Sequence, residues 1–229
     1  MNDRSAMAGS RAFTLVELLV ALVIIGALLA LVFVLVPAIS RSAARIEGIA
    51  KLRDIGLAMN HHALDHGGFL PGPLKQGQSP VPAKSGHLVS YVKPYMFPDE
   101  PLGYKNVQPG FVSNAWMKWF RSSGLQGAVT YYINVAIPSP DQEGMVFFPF
   151  GNVGAKSSNN RPVSYPDLWK SNIPVSETPA MWEWMGTEGV SAPYGEFQNG
   201  INVLYFDWHV ENTTNVDRIP NSLYKPKGW

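Results

Sequence analysis

Residues 12–40 read AFTLVELLVALVIIGALLALVFVLVPAIS, and the fold is decided there. Residues 18–40 hold no charged side chain. At ~1.5 Å of rise per residue, such a run crosses a ~30 Å hydrocarbon layer as a helix. A helix from a soluble core would show a polar face, and none is visible. A cleaved secretory signal would have a shorter apolar stretch of ~7–15 residues before a small-residue cut site. The stretch therefore reads as a membrane-spanning helix. Glu17 stands at its beginning. By insertion scales a carboxylate at mid-membrane costs roughly 2.5–3.5 kcal/mol, so it requires a partner or an interfacial position. Reaching back to the headgroups would satisfy the second requirement.

Upstream, residues 1–12 are short and polar, with Arg4, Arg11 and the single acid Asp3. A polar leader, then Phe13, then Glu17, then an unbroken apolar run resembles the N-terminal signature of type IV prepilins and type II secretion pseudopilins. The resemblance implies that a prepilin peptidase cuts between Ala12 and Phe13 on the cytoplasmic side and methylates the new Phe13 amine. Ala12 stands where the family usually has Gly. Glu17 matches the family's glutamate, fifth in the cut chain, and in a filament it would neutralise a neighbouring subunit's amine so that neither charge is buried alone. Close helix packing without water relies on small residues. Gly26 and Ala30 form such a pair, with Ala21 and Ala27 nearby.

Downstream, Pro37 removes one backbone donor and is expected to kink or locally melt the helix. Beyond it Ile39, Ile46, Ile49, Leu52, Ile55 and Met59 recur at helical spacings, with Arg41, Arg45, Glu47, Lys51, Arg53 and Asp54 as the polar side. Glu47 and Lys51 form a favourable i,i+4 pair. The helix is expected to reach about Asp65 and to stop at Gly67-Gly68. Arg41, Arg45, Lys51 and Arg53 outnumber Arg4 and Arg11, so the positive-inside rule alone would place this segment in the cytoplasm. The cleavage-like motif is the more specific signal, and it places the leader inside and the head outside.

The helix end and the C-terminal region carry a second resemblance. Residues 51–72 (KLRDIGLAMNHHALDHGGFLPG) and 201–211 (INVLYFDWHVE) are similar to the helix terminus and final hairpin of a prepilin-type group abundant in planctomycetes. Trp208 occupies that group's usual Gly position, and Phe197 replaces a His often found before the Asp. His61, His62, Asp65 and His66 cluster at the helix end, and His62 and His66, spaced i,i+4, are candidate metal ligands. The resemblance favours capping and packing there, which also suits histidine near a helix C-terminus.

Residues 67–229 read as the head, rich in Pro, Gly, Asn and Ser and hence in loops. A short helix is expected at 115–120. Strands are expected at 129–137, 145–148, 180–185 and 201–210, the last being two strands joined by a tight turn near Asp207-Trp208. The pairs Trp116/Trp119 and Trp182/Trp184 read as core rather than as a sugar-binding surface.

Composition closes off other classes. The chain has 229 residues, net charge +1 and no cysteine. That excludes disulfides and thiolate chemistry, and no basic excess points to nucleic acid. His87, His209, Asp207, Glu183 and Glu188 are available acids and bases, but no catalytic or phosphate-cradling motif surrounds them, so no enzyme is expected. A Ca²⁺ loop, as in some pseudopilins, would need clustered oxygens, and Asp141, Glu143 and Asn152 are the candidates. No other cofactor is expected.

The reading is an α+β, pilin-like chain. It has a cleaved cytoplasmic leader (1–12), a long N-terminal helix (13–66, with 13–39 in the membrane) and an extracytoplasmic head with an antiparallel sheet (67–229). The resemblance implies a structural subunit of a pilus-like or pseudopilus-like filament. Its partners would be copies of itself, a prepilin peptidase, the assembly machinery and the inner membrane, which it crosses once before joining a filament in the periplasm or at the cell surface. The alternative is a membrane-tethered binding or enzymatic domain that does not polymerise.

Overall fold

Apolar helix formers without an interrupting turn signal build one long element. In the computed structural model, which describes residues 14–81, 86–99, 107–123, 129–141, 143, 146–151, 153, 161–183, 186–187, 190–191 and 200–214, helix α1 runs Leu15–Asp65. It stops at the expected glycines. Gly67 and Gly68 have φ of 65° and 89°, a region open to a residue without Cβ. The Gly68 N–H donates to the Ala63 carbonyl at 2.7 Å and the His66 N–H to the His62 carbonyl at 3.0 Å, so released carbonyls find donors.

The chain divides into two compact units, Met1–Ser42 and Ala43–Trp229. In the first, Leu15–Phe33 is long and apolar enough to cross a membrane, and 0% of it is buried within the protein. Leucines and valines are exposed on every side of it. The local melting expected at Pro37 does not occur, since α1 is continuous through that residue. Proline removes a single donor, and the turns on both sides retain their own bonds.

In the second unit a five-stranded antiparallel sheet has the order β1-β2-β5-β8-β9. The strands are β1 (Gly77–Gln78), β2 (Tyr131–Ile133), β5 (Pro179–Glu183), β8 (Ile201–Tyr205) and β9 (Val210–Thr213). Two small hairpins stand apart, β3 (Ile137–Pro138) with β4 (Val146–Phe147) and β6 (Gly186–Thr187) with β7 (Val190–Ser191). Three short α-helices, α2 (Val89–Met96), α3 (Asn114–Ser123) and α4 (Tyr165–Lys170), and a 3-10 turn at Pro109–Phe111 complete the described elements. Leu52, Ile55 and Met59 of α1 are buried in one core with Ile133, Met181 and Leu204 of the sheet and Phe111, Trp116 and Phe150 from its surroundings.

The helix face that meets the sheet is not quite the expected stripe. Ile39 and Ile46 are exposed, 65% and 62%. Gly48 and Gly56 lie on the buried side instead. A Cβ on Gly56 would sit 3.0 Å from Leu204 Cδ1, so α1 approaches β8 as closely as a bare backbone allows. The strand expected over 129–137 is split into β2 and β3. Asn134 leaves the ladder between them, its N–H donating to the Ala180 carbonyl and its Nδ2 to the Pro179 carbonyl, both at 2.9 Å.

The final hairpin forms as read. Trp208 adopts φ 70° at the glycine-like turn position. Its ring stacks on Tyr165 at 5.3 Å, and the Tyr165 hydroxyl donates to the Phe206 carbonyl at 2.6 Å. The aromatic contact offsets a backbone conformation that L-residues rarely adopt.

Candidate processing and assembly site

The start of α1 is built from Thr14 and Glu17. Glu17 Oε2 accepts from the Thr14 N–H at 2.8 Å and from the Thr14 hydroxyl at 2.9 Å. Thr14 Oγ1 accepts from the Glu17 N–H at 3.2 Å. Thr-x-x-Glu with reciprocal side-chain-to-backbone bonds is a capping box, which satisfies otherwise orphaned donors at a helix start. The carboxylate therefore has local partners even without a neighbouring chain, and the α1 dipole favours negative charge at this end. The signal for the box, T-L-V-E ahead of an apolar run, is present in the sequence.

The remaining sequence-derived sites are distributed as follows. Ala12 and Phe13, with the leader, lie outside the described residues. Gly26 has no atom within 4 Å of where a Cβ would stand, so its small size leaves an open notch on the apolar helix. Pro37 is inside α1. The His62 and His66 rings stack in parallel, 3.9 Å between centroids, and His66 Nδ1 pairs with the His62 carbonyl at 2.8 Å. Tyr91 and Tyr95 of α2 pack edge-on against His62. Burial and the neighbouring His66 hold the His62 imidazole below its usual pKa. Asp141 accepts from Asn172 Nδ2 at 3.1 Å and is exposed, as is Glu143, while Asn152 lies outside the described residues. Among the described residues no group of three or more metal-ligating side chains converges. Asp207 and His209 pair across the last turn at 2.5 Å on the surface, and His209 stacks on Tyr205.

A second polar constellation escaped the sequence reading. Glu183 on β5 is 3% exposed and Asn202 on β8 is 2% exposed. The Asn202 N–H donates to Glu183 Oε2 at 3.2 Å and Asn202 Nδ2 to Glu183 Oε1 at 3.0 Å. The same Nδ2 reaches the Arg45 carbonyl of α1 at 3.2 Å. Asn212 of β9 fixes the amide by donating to Asn202 Oδ1 at 2.9 Å. Burial pushes the Glu183 carboxyl up to about 7, against the lowering effect of the Asn202 bonds. The only sequence signal was an acid at an inward position of an otherwise apolar strand.

Comparison with known proteins matches the N-terminal segment. The family model for the prokaryotic N-terminal methylation motif covers residues 7–33. No curated protein and no solved structure matches the chain. The matched segment takes in the leader end, Phe13, Glu17 and the exposed apolar turns of α1. Such a motif implies processing by a prepilin peptidase, and the apolar helix fits a single-pass membrane anchor. The N-terminus of the chain therefore carries the prokaryotic N-terminal methylation motif at the start of a membrane-length helix, which supports a type IV prepilin-like protein.

Proposed function

We propose that this chain is a structural subunit of a pilus-like or pseudopilus-like filament, made as a membrane-inserted precursor, cut before Phe13 and N-methylated there. The observation that carries the reading is the methylation motif running directly into a helix that is apolar and exposed all round. Apolar surface of that extent calls for lipid or for sister helices. After cleavage, each new amine in an apolar filament would need a carboxylate, and Glu17 is the acid within the span.

Glu17 has two separable roles, which gives the test. Glu17→Gln keeps an oxygen that can accept from Thr14 and so keeps the cap, but it removes the charge. Glu17→Ala removes both. The filament reading expects both variants to reach the membrane and be processed, and both to fail in assembly when filaments are sheared and counted by immunoblot. A Glu17→Gln protein that assembles like wild type would leave Glu17 a helix cap only and defeat the charge-pairing account.

A further inference from the structure

The second unit buries a carboxyl to which no cation is paired among the described residues. Glu183 is 3% exposed, and its Oε1 lies directly beneath the α1 backbone at Gly48, where an added Cβ would overlap it. Among the described residues, its two hydrogen bonds come from Asn202. Through Nδ2 that residue also holds the α1 backbone at Arg45. The groups facing the site come from four elements. From α1 come Gly48 and the Arg45 carbonyl, with the Arg45 side chain exposed and Glu47 turned to the Asn114 N–H at 2.8 Å. Lys51 is one turn further along α1 and half-buried. From β2 comes Tyr131, opposite Glu183 in register. From β8 comes Asn202 and from β9 Asn212. Among the described residues, burial raises the carboxyl and the Asn202 bonds lower it, and no charged side chain acts on it.

We propose that Glu183 is a proton-operated latch between the second half of α1 and the sheet: the neutral acid lets the helix seat on β5 and β8, and the ionised form loosens that seat. A buried carboxylate without a cation is costly, and the protein relieves the cost either by binding a proton or by opening to water. Helix α1, which meets Glu183 at Gly48, can lift away from it without breaking the β-ladder. The glycine at 48 allows the close seat, and Asn202 transmits the carboxyl's state to the helix. The inference rests on the sheet and α1 alone and stands apart from the filament reading.

The test compares the full-length protein in detergent with Glu183→Gln by hydrogen exchange of the amides of residues 43–65, each pair measured at one pH so that intrinsic rates cancel. The latch predicts equal protection at about pH 5 and faster exchange in wild type at about pH 8, with a wild-type melting temperature that falls by roughly 10 °C relative to the variant across that window. Parallel behaviour of the two proteins at both pH values would overturn it. If Glu183→Gln does not fold, isotope-edited infrared spectroscopy of wild type decides. A protonated Glu183 carbonyl band persisting above about pH 6 supports the latch, and its loss below that pH refutes it.

Discussion

Replacing Gly48 by alanine sets two effects of opposite sign against each other. In a helix interior the change is worth about 1 kcal/mol in favour of alanine, because glycine loses more backbone entropy on folding. At this position a Cβ would overlap Glu183 Oε1 and approach Asn202 Nδ2 to 2.6 Å. Neither side chain has solvent to retreat into, since both are buried and bonded to one another. Moving them breaks the Glu183–Asn202 pair or the Asn202 bond to the Arg45 carbonyl, and a hydrogen bond to a charged or buried partner is worth about 1.5–3 kcal/mol. Shifting α1 away instead over-packs or opens the core, at about 1–3 kcal/mol. The steric term wins, and the net expectation is a loss of about 0.5–2 kcal/mol. For a unit of this size that lowers the melting temperature by roughly 1–8 °C. The assay is thermal unfolding of the full-length protein in detergent, followed by tryptophan fluorescence, to which the buried Trp116 and Trp182 contribute. A Gly48→Ala protein as stable as wild type, or more so, would refute the close seating of α1 on Glu183 and Asn202.

At Trp208 the two available truncations should separate strain from stacking. Trp208→Ala loses the Tyr165 contact and keeps the positive φ, whereas Trp208→Gly loses the contact and relieves the backbone, so glycine should be the more stable of the two by about 1 kcal/mol in the same melting assay. The pH dependence has a definite sign. Glu183 is raised from 4.5 to about 7, so the folded state binds more protons than the unfolded one between those values. That contribution is fully present below the unfolded pKa and is lost as pH rises through the folded one, by about 3 kcal/mol in all. His62 and His87, both held below 6.5 mainly by burial, work the other way and add stability as pH rises through their folded values. The difference between wild type and Glu183→Gln isolates the first effect.

What the sequence made legible was whatever local chemistry decides. The apolar run, the glycine pair that ends α1 and the turn of the final hairpin each depend on a few adjacent residues, and each is found where it was read. Helix α2 was not read, because Pro94 within it argues against a helix and its packing through Val89 and Val92 overrides that preference. The α4 start, Ser164 with Pro166 and Asp167 behind it, did carry a helix-start signal. Gly48 and Gly56 are poor helix formers by propensity, yet in α1 they allow a close approach to the sheet. Only the partner strands reveal that, and they lie more than a hundred residues away in sequence. The Glu183–Asn202 pair was hidden for the same reason: neither residue has a motif, and register alone brings them together.

The central claim is that the N-terminus is a processing site ahead of an assembling helix. Intact-mass and terminal-fragment analysis of the full-length chain, co-expressed with a prepilin peptidase in the membrane, tests it most directly. The account predicts a product that begins at Phe13 and bears one methyl group on its amine. A chain that keeps Ala12 and everything before it, in the presence of a peptidase shown to cut another prepilin, would contradict it.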